Sequence, residues 1–401
     1  MTNLYAALEI GTTRTVLAIA EADGTGRLAV TCHAEIPSTG IRKSQILDIQ
    51  QATQSIRSVI REIEKKQSES GNSVTIGNAF LVLSGQHIAV SRFTGTAQVE
   101  GARVNPEAVN EVIRNSRAMT LPRERELLDI IDQDYELDNL GGIADPLGMS
   151  GKILKLNTLQ IHADRNRIAD AQTAADAAHL EIREPLFAVT CAGDAVLEEH
   201  ERKNGALVLD FGGGSTGYAV YSDGHVVATG VIGVGGDHIT NDIAQAFQTT
   251  QAQAEELKLT QASAILGATG DEHAARVKVP GSSPLMETRT ISRRALDTVV
   301  NARARELLTI IRETLEDQGL LQRLHAGVVL TGGGAALRDL DALVQRELGA
   351  AVRYGRPLSI DGFENESFPA AYAAVSGALL YAHRNYEEKP LFGGLLRRFF
   401  K

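Results

Sequence analysis

A glycine-rich strand–turn–strand pattern occurs twice in this chain, about two hundred residues apart. The first copy spans residues 8–13 (LEIGTT) and ends in a turn at Asp23-Gly24, and the second spans 209–214 (LDFGGG) and ends at Asp223-Gly224. Glycines at the first turn let the backbone approach a phosphate closely and direct N–H groups at it. An acidic residue at the end of the first strand can hold Mg²⁺ through water. Two matched hairpins of this kind indicate a nucleotide bound between duplicated half-structures.

A third glycine turn follows a further apolar strand. Residues 328–331 (VVLT) lead into Gly332, Gly333 and Gly334, and we predict a helix over 335–348 directly after them. Backbone N–H groups at the start of such a helix can meet an adenosine or its phosphates. A single glycine turn after a strand is usually structural, but two matched copies and this third one favour the nucleotide interpretation.

Two other phosphate-binding motifs are excluded by their context. Residues 212–217 satisfy the dinucleotide pattern GxGxxG, which requires a helix immediately after the glycines. Here residues 218–221 and the Asp223-Gly224 turn predict a strand and a hairpin instead. Gly151-Lys152 lacks the rest of a Walker motif, because Pro146 stands where the first glycine belongs. Neither a Rossmann unit nor a P-loop is therefore expected.

Composition limits the classes of function. With 43% hydrophobic residues over 401 positions, the chain is long enough for several folded domains. Its net charge of −10 argues against nucleic acid as a partner, since proteins that bind the phosphate backbone normally carry a basic surface. Cys32 and Cys191 fit neither a disulfide framework nor a zinc motif. With no basic leader and no apolar run long enough to span a bilayer, we expect a soluble, cytoplasmic body.

Apolar periodicity outlines the elements between the glycine turns. After the first hairpin we predict a helix over 46–66 and an inserted α+β subdomain over 77–163. Helices dominate 237–324, including one over 292–318 with an apolar stripe, and a last apolar helix covers 368–383.

The chain ends in a short amphipathic segment after a polar linker. On a helical wheel the apolar side chains of 391–401 fill one half, and the glycines and cations fill the other. The residues assigned to membrane contact are Leu391, Phe392, Leu395, Leu396, Arg397, Arg398, Phe399, Phe400 and Lys401. Packing against the body is the alternative, but a helix that folds on an anionic membrane surface fits the paired phenylalanines and the cations better. Such binding is weak for one molecule, and a polymer would gain avidity.

The combination of motifs resembles the actin, Hsp70 and sugar-kinase ATPase superfamily and, within it, the FtsA family of bacterial cell-division proteins. Residues 8–15 are similar to the phosphate-1 motif, 207–217 to the phosphate-2 motif and 326–337 to the adenosine motif. Two signatures of the 1C subdomain, which FtsA carries in place of actin's 1B, are similar to residues 81–88 and 144–151.

The resemblance implies an α/β, actin-like (ribonuclease H-like) fold: a duplicated two-lobe ATPase fold with an inserted α+β 1C subdomain replacing actin's 1B. The implied division of the chain is 1–76 with 164–204 for lobe 1 (subdomain 1A), 77–163 for 1C, 205–236 with 325–384 for lobe 2 (subdomain 2A), 237–324 for subdomain 2B, 385–390 for a linker and 391–401 for a membrane-targeting helix.

The resemblance also assigns residues to the site. Glu9, which stands where actins and Hsp70 proteins have Asp, and Asp210 would face the phosphates and a water-bound Mg²⁺ from opposite lobes. The residues implied to contact ATP are Gly11, Thr12, Thr13, Gly212, Gly213, Gly214, Ser215, Thr216, Gly235, Gly236, Glu255, Lys258, Gly332, Gly333, Gly334 and Leu337. Glu255 and Lys258 would meet the ribose or base, with a solvated i,i+3 ion pair as the alternative. Glu184 occupies the place of the water-positioning acid of Hsp70 proteins, although an exposed charge beside a helix end is the simpler explanation.

As a member of this family, the protein would bind ATP and Mg²⁺, hydrolyse ATP weakly at most, and polymerise on the cytoplasmic side of the bacterial inner membrane at the division site. It would anchor the FtsZ ring there as a peripheral protein, and the insert would recruit later division proteins. The FtsZ C-terminal tail would bind subdomain 2B, where Arg289, Arg293, Arg294 and Arg303 can meet an acidic peptide. The alternatives are a pilus-assembly homologue similar to PilM and a metabolite kinase of the same superfamily, although a kinase has no use for the terminal helix.

Overall fold

Two β-sheets form the body of the molecule, and each is assembled around one copy of the glycine-rich hairpin. The computed structural model describes residues 4–23, 26–72, 74–101, 103–118, 120–266, 275–282 and 287–386. The predicted terminal helix at 391–401 lies outside the described residues. No helix within the described ranges is long and apolar enough to cross a membrane.

The first hairpin opens a six-stranded sheet. The elements of residues 4–69 are β1 (Leu4–Ile10), β2 (Arg14–Ala22), β3 (Leu28–Pro37), β4 (Ile41–Arg42), β5 (Gln45–Ile46) and α1 (Ile49–Glu69). β1, β2 and β3 form an antiparallel meander. α1 begins at Ile49 rather than at the predicted residue 46, because residues 41–46 form the small β4–β5 hairpin. Asp48 then caps α1 by accepting a hydrogen bond from the Gln51 N–H.

The insert is a four-stranded antiparallel sheet with one helix on its face. Its elements, with the strand that precedes it, are β6 (Asn78–Leu83), β7 (Ile88–Gln98), α2 (Pro106–Ser116), β8 (Arg125–Leu137), β9 (Leu140–Ile143) and β10 (Ile153–Asp164). The strand order is β7-β10-β8-β9, and α2 buries Val112 against this sheet. β6 lies outside it, because β6 pairs parallel with β1. The predicted start of the insert at residue 77 is therefore corrected to a point after Leu83.

The remaining elements complete the first sheet and build the second. They are α3 (Arg165–Ala177), β11 (Glu181–Phe187), α4 (Ala188–Val196), α5 (Glu199–Asn204), β12 (Ala206–Phe211), β13 (Thr216–Ser222), β14 (His225–Ile232), α6 (Gly236–Ala246), α7 (Gln251–Thr260), β15 (Arg276–Val279), β16 (Arg289–Ser292), α8 (Arg293–Asp317), β17 (Gly327–Thr331), α9 (Leu340–Leu348), β18 (Val352–Tyr354), β19 (Ile360–Asp361) and α10 (Ala373–Asn385). The first sheet has the order β11-β6-β1-β2-β3-β19, and the second has the order β14-β13-β12-β17-β18. Read from β3 to β11 and from β14 to β18, the two sheets have the same sequence of antiparallel and parallel pairings. The duplication therefore extends over five strands in each half.

The helix after the third glycine turn begins later than predicted. A 3₁₀ turn covers Gly333–Ala336, and α9 starts only at Leu340. Between them, Asp339 has a left-handed backbone with φ of 60°, and its carboxylate accepts a hydrogen bond of 2.6 Å from the Ser263 hydroxyl. The hydrogen bond between Ser263 and Asp339 thus lies at the break between the 3₁₀ turn and α9. Local periodicity does not reveal this contact, because Ser263 belongs to a distant segment.

The last described residues return to the first sheet. β19 pairs parallel with β3, and α10 packs on α4 and β1 with Val375 and Leu379 fully buried. α10 begins at Ala373, after a 3₁₀ turn at Pro369–Tyr372, and thus later than predicted. The predicted assignment of 325–384 to lobe 2 is corrected accordingly, because the apolar face of α10 completes the core of the first half.

The insert also contacts the second sheet. The Arg92 guanidinium donates a hydrogen bond of 3.0 Å to the Val227 carbonyl, and the Gln133 amide donates one of 2.8 Å to the Val226 carbonyl. Both acceptors belong to β14, the edge strand of the second sheet. The insert therefore covers a sheet edge and links the two halves of the molecule.

Gly377 provides a test of the contact between α10 and α4. A Cβ at this position would lie 1.8 Å from the Cys191 carbonyl oxygen in α4, so Gly377→Ala must push the two helices apart. The better helix propensity of alanine, worth up to about 1 kcal/mol, does not offset such overpacking. We expect the free energy of unfolding to fall by about 2 kcal/mol or more, measured by urea unfolding followed by circular dichroism.

The matched control is Ser376→Ala at the neighbouring position. The Ser376 hydroxyl is buried with no hydrogen-bond partner in the described part of the chain, so its removal should leave the urea midpoint unchanged or raise it. A Gly377→Ala variant with the parent's midpoint would contradict the close packing of these two helices.

Candidate functional site

The two hairpins and the third glycine turn border a cavity of about 470 Å³ between the sheets. This volume is typical of pockets for cofactors and other small molecules. The predicted site residues that line it are Glu9, Gly11, Thr12, Thr13, Asp210, Gly212, Gly213, Gly214, Ser215, Gly236, Glu255, Lys258, Gly332, Gly333, Gly334 and Leu337. Segments that are far apart in the sequence thus meet at one place.

The first loop (residues 11–14) and the second loop (residues 212–215) have the same backbone geometry. The Gly11 N–H donates to the Arg14 carbonyl and the Gly212 N–H donates to the Ser215 carbonyl, both at 3.0 Å. A Cβ at Gly11 would lie 2.7 Å from the Arg14 oxygen, and one at Gly212 would lie 2.9 Å from the Ser215 oxygen. Glycine is therefore needed at the start of each loop for the same steric reason.

Other amides of the two loops are available to a ligand. Within the described part of the chain, no hydrogen bond uses the backbone N–H of Thr12, Thr13, Gly213 or Gly214. Successive unpaired N–H groups in a turn form a concave site for an anion. Both loops therefore have donors suited to phosphate oxygens.

Thr216 and Gly235 support the second loop and do not line the cavity. The buried Thr216 hydroxyl donates to the Val234 carbonyl at 2.8 Å. A Cβ at Gly235 would lie 2.5 Å from the Gly213 carbonyl oxygen, so the chain after β14 packs directly on the loop. The sequence predicted ligand contact for these two residues, and the structure gives them a supporting position instead.

Gly332 holds the third turn against the end of β12. Its φ of 82° lies in the left-handed region, and a Cβ there would lie 2.7 Å from the Asp210 carboxylate. Its N–H donates to the Ala370 carbonyl at 3.0 Å, which ties the turn to the segment before α10. Leu337, which is buried, contributes an apolar wall on the same side of the cavity.

Two carboxylates and one guanidinium influence one another at the cavity. Burial is the main cause that raises the pKa of Glu9 to about 7; Arg14 opposes this effect, and Asp210 and Glu35 add to it. Burial likewise raises the pKa of Asp210 to about 6, although the Thr331 hydroxyl and Arg14 act in the opposite direction. Because ionisation of crowded, buried carboxylates is costly, a bound cation would favour their charged forms. The pair is therefore suited to a divalent ion.

Arg14 lines the cavity although it was not among the residues predicted to contact ATP, even though it lies within the segment 8–15 that resembles the phosphate-1 motif. Its guanidinium forms an ion pair with Glu35, donates to the Ala371 carbonyl at 2.5 Å and lies 4.9 Å from the centre of the Tyr372 ring. The signal in the sequence is a cation placed directly after a glycine loop. Ser44 and Asp237 also line the cavity without having been predicted, because neither belongs to a recognisable phosphate motif.

Glu255 and Lys258 form an ion pair of 2.7 Å beside the cavity. Lys258 is only 7% exposed, and its ammonium also donates to the Gly236 carbonyl at 3.2 Å and to the Thr240 hydroxyl at 2.9 Å. The alternative of a solvated ion pair is therefore wrong. The lysine links α7 to the glycine pair that follows β14.

Glu184 does not line the cavity. Its two carboxylate oxygens accept hydrogen bonds from the Tyr381 hydroxyl at 3.0 Å and the Tyr386 hydroxyl at 2.8 Å, which tie β11 to α10 and the residue after it. The predicted water-positioning role is corrected on this ground, and so is the simpler explanation of a merely exposed charge. The Glu-Pro pattern could not reveal these partners, because they lie about two hundred residues further along the chain.

Three of the four predicted partner-binding arginines contact the chain itself. Arg303 pairs with Asp242 at 2.6 Å and with Glu306 at 2.6 Å. Arg293 donates to the Gln261 carbonyl at 2.7 and 2.9 Å, and Arg289 donates to the Phe247 carbonyl. These three guanidinium groups are therefore engaged within the chain, and binding of an acidic peptide by the four cations stays a prediction. Arg294 is exposed and has no side-chain partner among the described residues.

Comparison with known proteins decides the family. The model of the family "Cell division protein FtsA" matches residues 207–377, and the model "SHS2 domain inserted in FTSA" matches residues 85–162. A cell division protein FtsA from Pseudomonas aeruginosa is 31% identical over 374 residues, which are 93% of this chain and 88% of that protein. The chain belongs to the FtsA family. FtsA of Escherichia coli K12 is 30% identical over 390 residues, 96% of this chain and 91% of that protein, and FtsA of Borreliella burgdorferi is 28% identical over 385 residues.

Solved structures confirm the actin-like, two-lobe fold. The PilM–PilN type IV pilus biogenesis complex has a chain that matches with a TM-score of 0.65 and 19% identity, over 94% of this FtsA-family chain and 98% of that chain. MreB5 of Spiroplasma citri bound to ADP matches with a TM-score of 0.56 and 14% identity, over 96% and 99% of the two chains. At these identities the likeness is one of fold alone. The matched insert begins at residue 85, in agreement with the corrected boundary after β6.

The raised pKa of Glu9 predicts that stability depends on pH. A carboxyl whose pKa rises from 4.5 in the unfolded chain to about 7 in the folded one binds more protons when folded, so the free energy of unfolding falls as pH rises between these values. Glu9→Gln removes this loss, and we expect it to stabilise the nucleotide-free protein at pH 8 by about 3 kcal/mol. Urea unfolding at pH 5 and pH 8 measures the difference.

Glu64→Gln, on the exposed side of α1, is the control for the loss of one carboxylate elsewhere. Its unfolding free energy should follow that of the parent at both pH values. An identical pH dependence in Glu9→Gln and the parent would show that Glu9 ionises normally in the folded protein.

Proposed function

We propose that this FtsA-family protein binds ATP in the cavity, with the phosphates between the first and second loops. The observation that carries the proposal is the pair of matched turns, each closed by a hydrogen bond of 3.0 Å and each bordering the same cavity. The unpaired N–H groups of the loops and the Arg14 guanidinium suit an anionic ligand. The MreB5 structures of similar fold contain ADP or AMPPNP, which supports a nucleotide at this place.

Mg²⁺ is the second proposed cofactor. Glu9 and Asp210 come from corresponding positions of β1 and β12, and burial raises the pKa of both carboxyls. Among the described residues, no group of three or more His, Cys, Asp or Glu side chains is placed to hold a metal ion directly. An ion held by water and phosphate oxygens, with these two carboxylates around it, fits that arrangement.

We propose that ATP hydrolysis is slow at most. Nucleotide binding is proposed to control assembly into filaments. Glu184 is held by two tyrosines away from the cavity, so it is not available to position a water molecule. ATP between the two loops would favour the closed arrangement of the lobes, and this arrangement would be the one that polymerises.

The insert, which contacts β14 through Arg92 and Gln133, is the proposed surface for later division proteins.

Membrane attachment is proposed to come from residues 391–401, which lie outside the described residues. The argument is the complete separation of apolar and cationic side chains in the sequence of this segment. With it, the protein would be peripheral on the cytoplasmic side of the inner membrane at the division site, where it would anchor FtsZ.

Co-sedimentation with anionic liposomes tests the attachment. The full chain should sediment with the liposomes, and more strongly with ATP than without it, because filaments present many weak tails at once. Deletion of 391–401 should abolish sedimentation in both conditions, and neutral liposomes should retain much less protein because the cations lose their attraction. Equal sedimentation of the truncated and full chains would refute the tether.

The FtsZ C-terminal tail is proposed to bind near α8. Of the four predicted cations, Arg294 is the exposed one without a side-chain partner in the described part of the chain, so it is the residue best placed to meet an acidic peptide.

Charge reversal distinguishes Arg294 from the arginines engaged within the protein. We expect Arg294→Glu to weaken binding of an FtsZ tail peptide roughly fivefold or more, because it replaces attraction by repulsion. Fluorescence anisotropy of a labelled peptide measures the affinity. Arg61→Glu on the exposed side of α1 is the control and should bind as the parent does. Equal weakening in both variants would mean that only the net charge matters.

A further inference from the structure

The tip of the β4–β5 hairpin has a backbone conformation that is uncommon for residues with a side chain. Ile41 pairs with Ile46 and Arg42 with Gln45, which leaves a two-residue turn of Lys43 and Ser44. Their φ angles are 50° and 57°, in the left-handed region that glycine or asparagine normally occupies in such turns. Strained positions of this kind persist only where the surroundings hold them, and they are frequent at functional sites.

The base of this hairpin is fixed to the body. The N–H groups of Leu47 and Asp48 donate to the Gly40 carbonyl at 2.8 and 3.1 Å, and Asp48 is the N-cap of α1. The hairpin is therefore closed at its base and leads directly into α1.

The turn is inserted between the two glycine loops. A Cβ at Gly214 of the second loop would lie 2.9 Å from the Lys43 Cα and 3.0 Å from the Ser44 nitrogen, and a Cβ at Gly85 would lie 2.6 Å from the Ser44 Cβ. The Ser44 N–H donates to the Thr12 hydroxyl of the first loop at 2.8 Å. Ser44 is thus the point where both loops and the start of the insert converge.

The hydroxyl of Ser44 lacks a close partner in this arrangement. Its oxygen lies 3.3 Å from the Thr12 hydroxyl oxygen and 3.3 Å from the Ser215 hydroxyl oxygen. Hydrogen bonds between hydroxyls are usually close to 2.7–2.8 Å, so both contacts are long. Ser44 also lines the cavity that contains Glu9 and Asp210. The hydroxyl groups of Thr12, Ser44 and Ser215, from three different segments, therefore lie close together, but Ser44 forms only long hydrogen bonds with the other two.

We propose that Ser44 donates a hydrogen bond to the terminal phosphate of a bound nucleoside triphosphate, and that the Lys43–Ser44 turn thereby distinguishes a triphosphate from a diphosphate. The inference rests on the proposed nucleotide function of the cavity. A phosphate oxygen between the loops would replace the two long hydroxyl contacts by a charge-assisted one. A diphosphate lacks the third phosphate, so the Ser44 hydroxyl would keep the two long contacts that it has in this structure.

The test compares the affinities of the full chain for fluorescent ADP and for a fluorescent, non-hydrolysable ATP analogue. Ser44→Ala removes the hydroxyl and keeps a residue with a Cβ in the left-handed turn. Ser44→Gly removes the hydroxyl and relieves the backbone strain. We expect both variants to bind the triphosphate about tenfold more weakly, as is typical when a hydrogen bond to a charged group is lost, with the affinity for ADP within about twofold of the parent. The control is Ser70→Ala, since the Ser70 hydroxyl donates to the Lys66 carbonyl at the far end of α1.

The outcomes separate this inference from the proposed function. If the parent binds both nucleotides and Ser44→Ala keeps the parent's ratio of the two affinities, the inference on Ser44 is overturned while nucleotide binding stands. If Ser44→Gly keeps the ratio and Ser44→Ala does not, the backbone and not the hydroxyl is responsible, which also overturns it. A parent chain that binds neither nucleotide would remove the proposed function, and the role of Ser44 with it.

Discussion

Direct approach of the first and second glycine loops across the cavity is the constraint on which the rest of the structure depends. A Cβ at Gly213 would lie 2.1 Å from the Thr13 hydroxyl, and one at Gly214 would lie 2.5 Å from the Thr12 hydroxyl. The two halves of the molecule can come this close only because the second loop has no side chains at these points. Once they do, the ends of β1 and β12 face each other and the cavity has donors on both sides.

The same approach places groups together that would be more stable apart. Glu9 and Asp210 are partly removed from water and lie near each other, which raises the pKa of both carboxyls, and Arg14 compensates only part of this charge. An unfavourable electrostatic arrangement that a cation and an anionic ligand would relieve is typical of a binding site, where stability is given up for function. The strained Lys43–Ser44 turn belongs to the same pattern.

Two segments connect the halves outside the cavity. The insert belongs to the first half by sequence, but Arg92 and Gln133 hold the edge strand β14 of the second. The segment after β18 makes the converse link, because it follows the second half in sequence but its helix α10 completes the core of the first half. Just before α10, the Ala370 carbonyl accepts a hydrogen bond from the Gly332 N–H of the second half. A change in the separation of the two loops must therefore be accommodated at the insert and at α10, which are distant from one another in the sequence.

The sequence by itself determined the duplicated hairpins, the strands around them and the glycine loops that border the cavity. These features depend on local rules. A glycine is required where its position packs against the carbonyl of the residue three positions later in the loop, and apolar alternation marks the strands on either side. Only the tertiary structure decided that β6 and α10 belong to the first half, that α9 starts at Leu340, that Glu184 is held by two tyrosines, and that Arg14 and Ser44 reach the cavity. Each of these outcomes depends on a partner supplied by a distant segment, such as Tyr381 for Glu184 or Ser215 for Ser44, and no local pattern encodes which distant segment will be adjacent after folding.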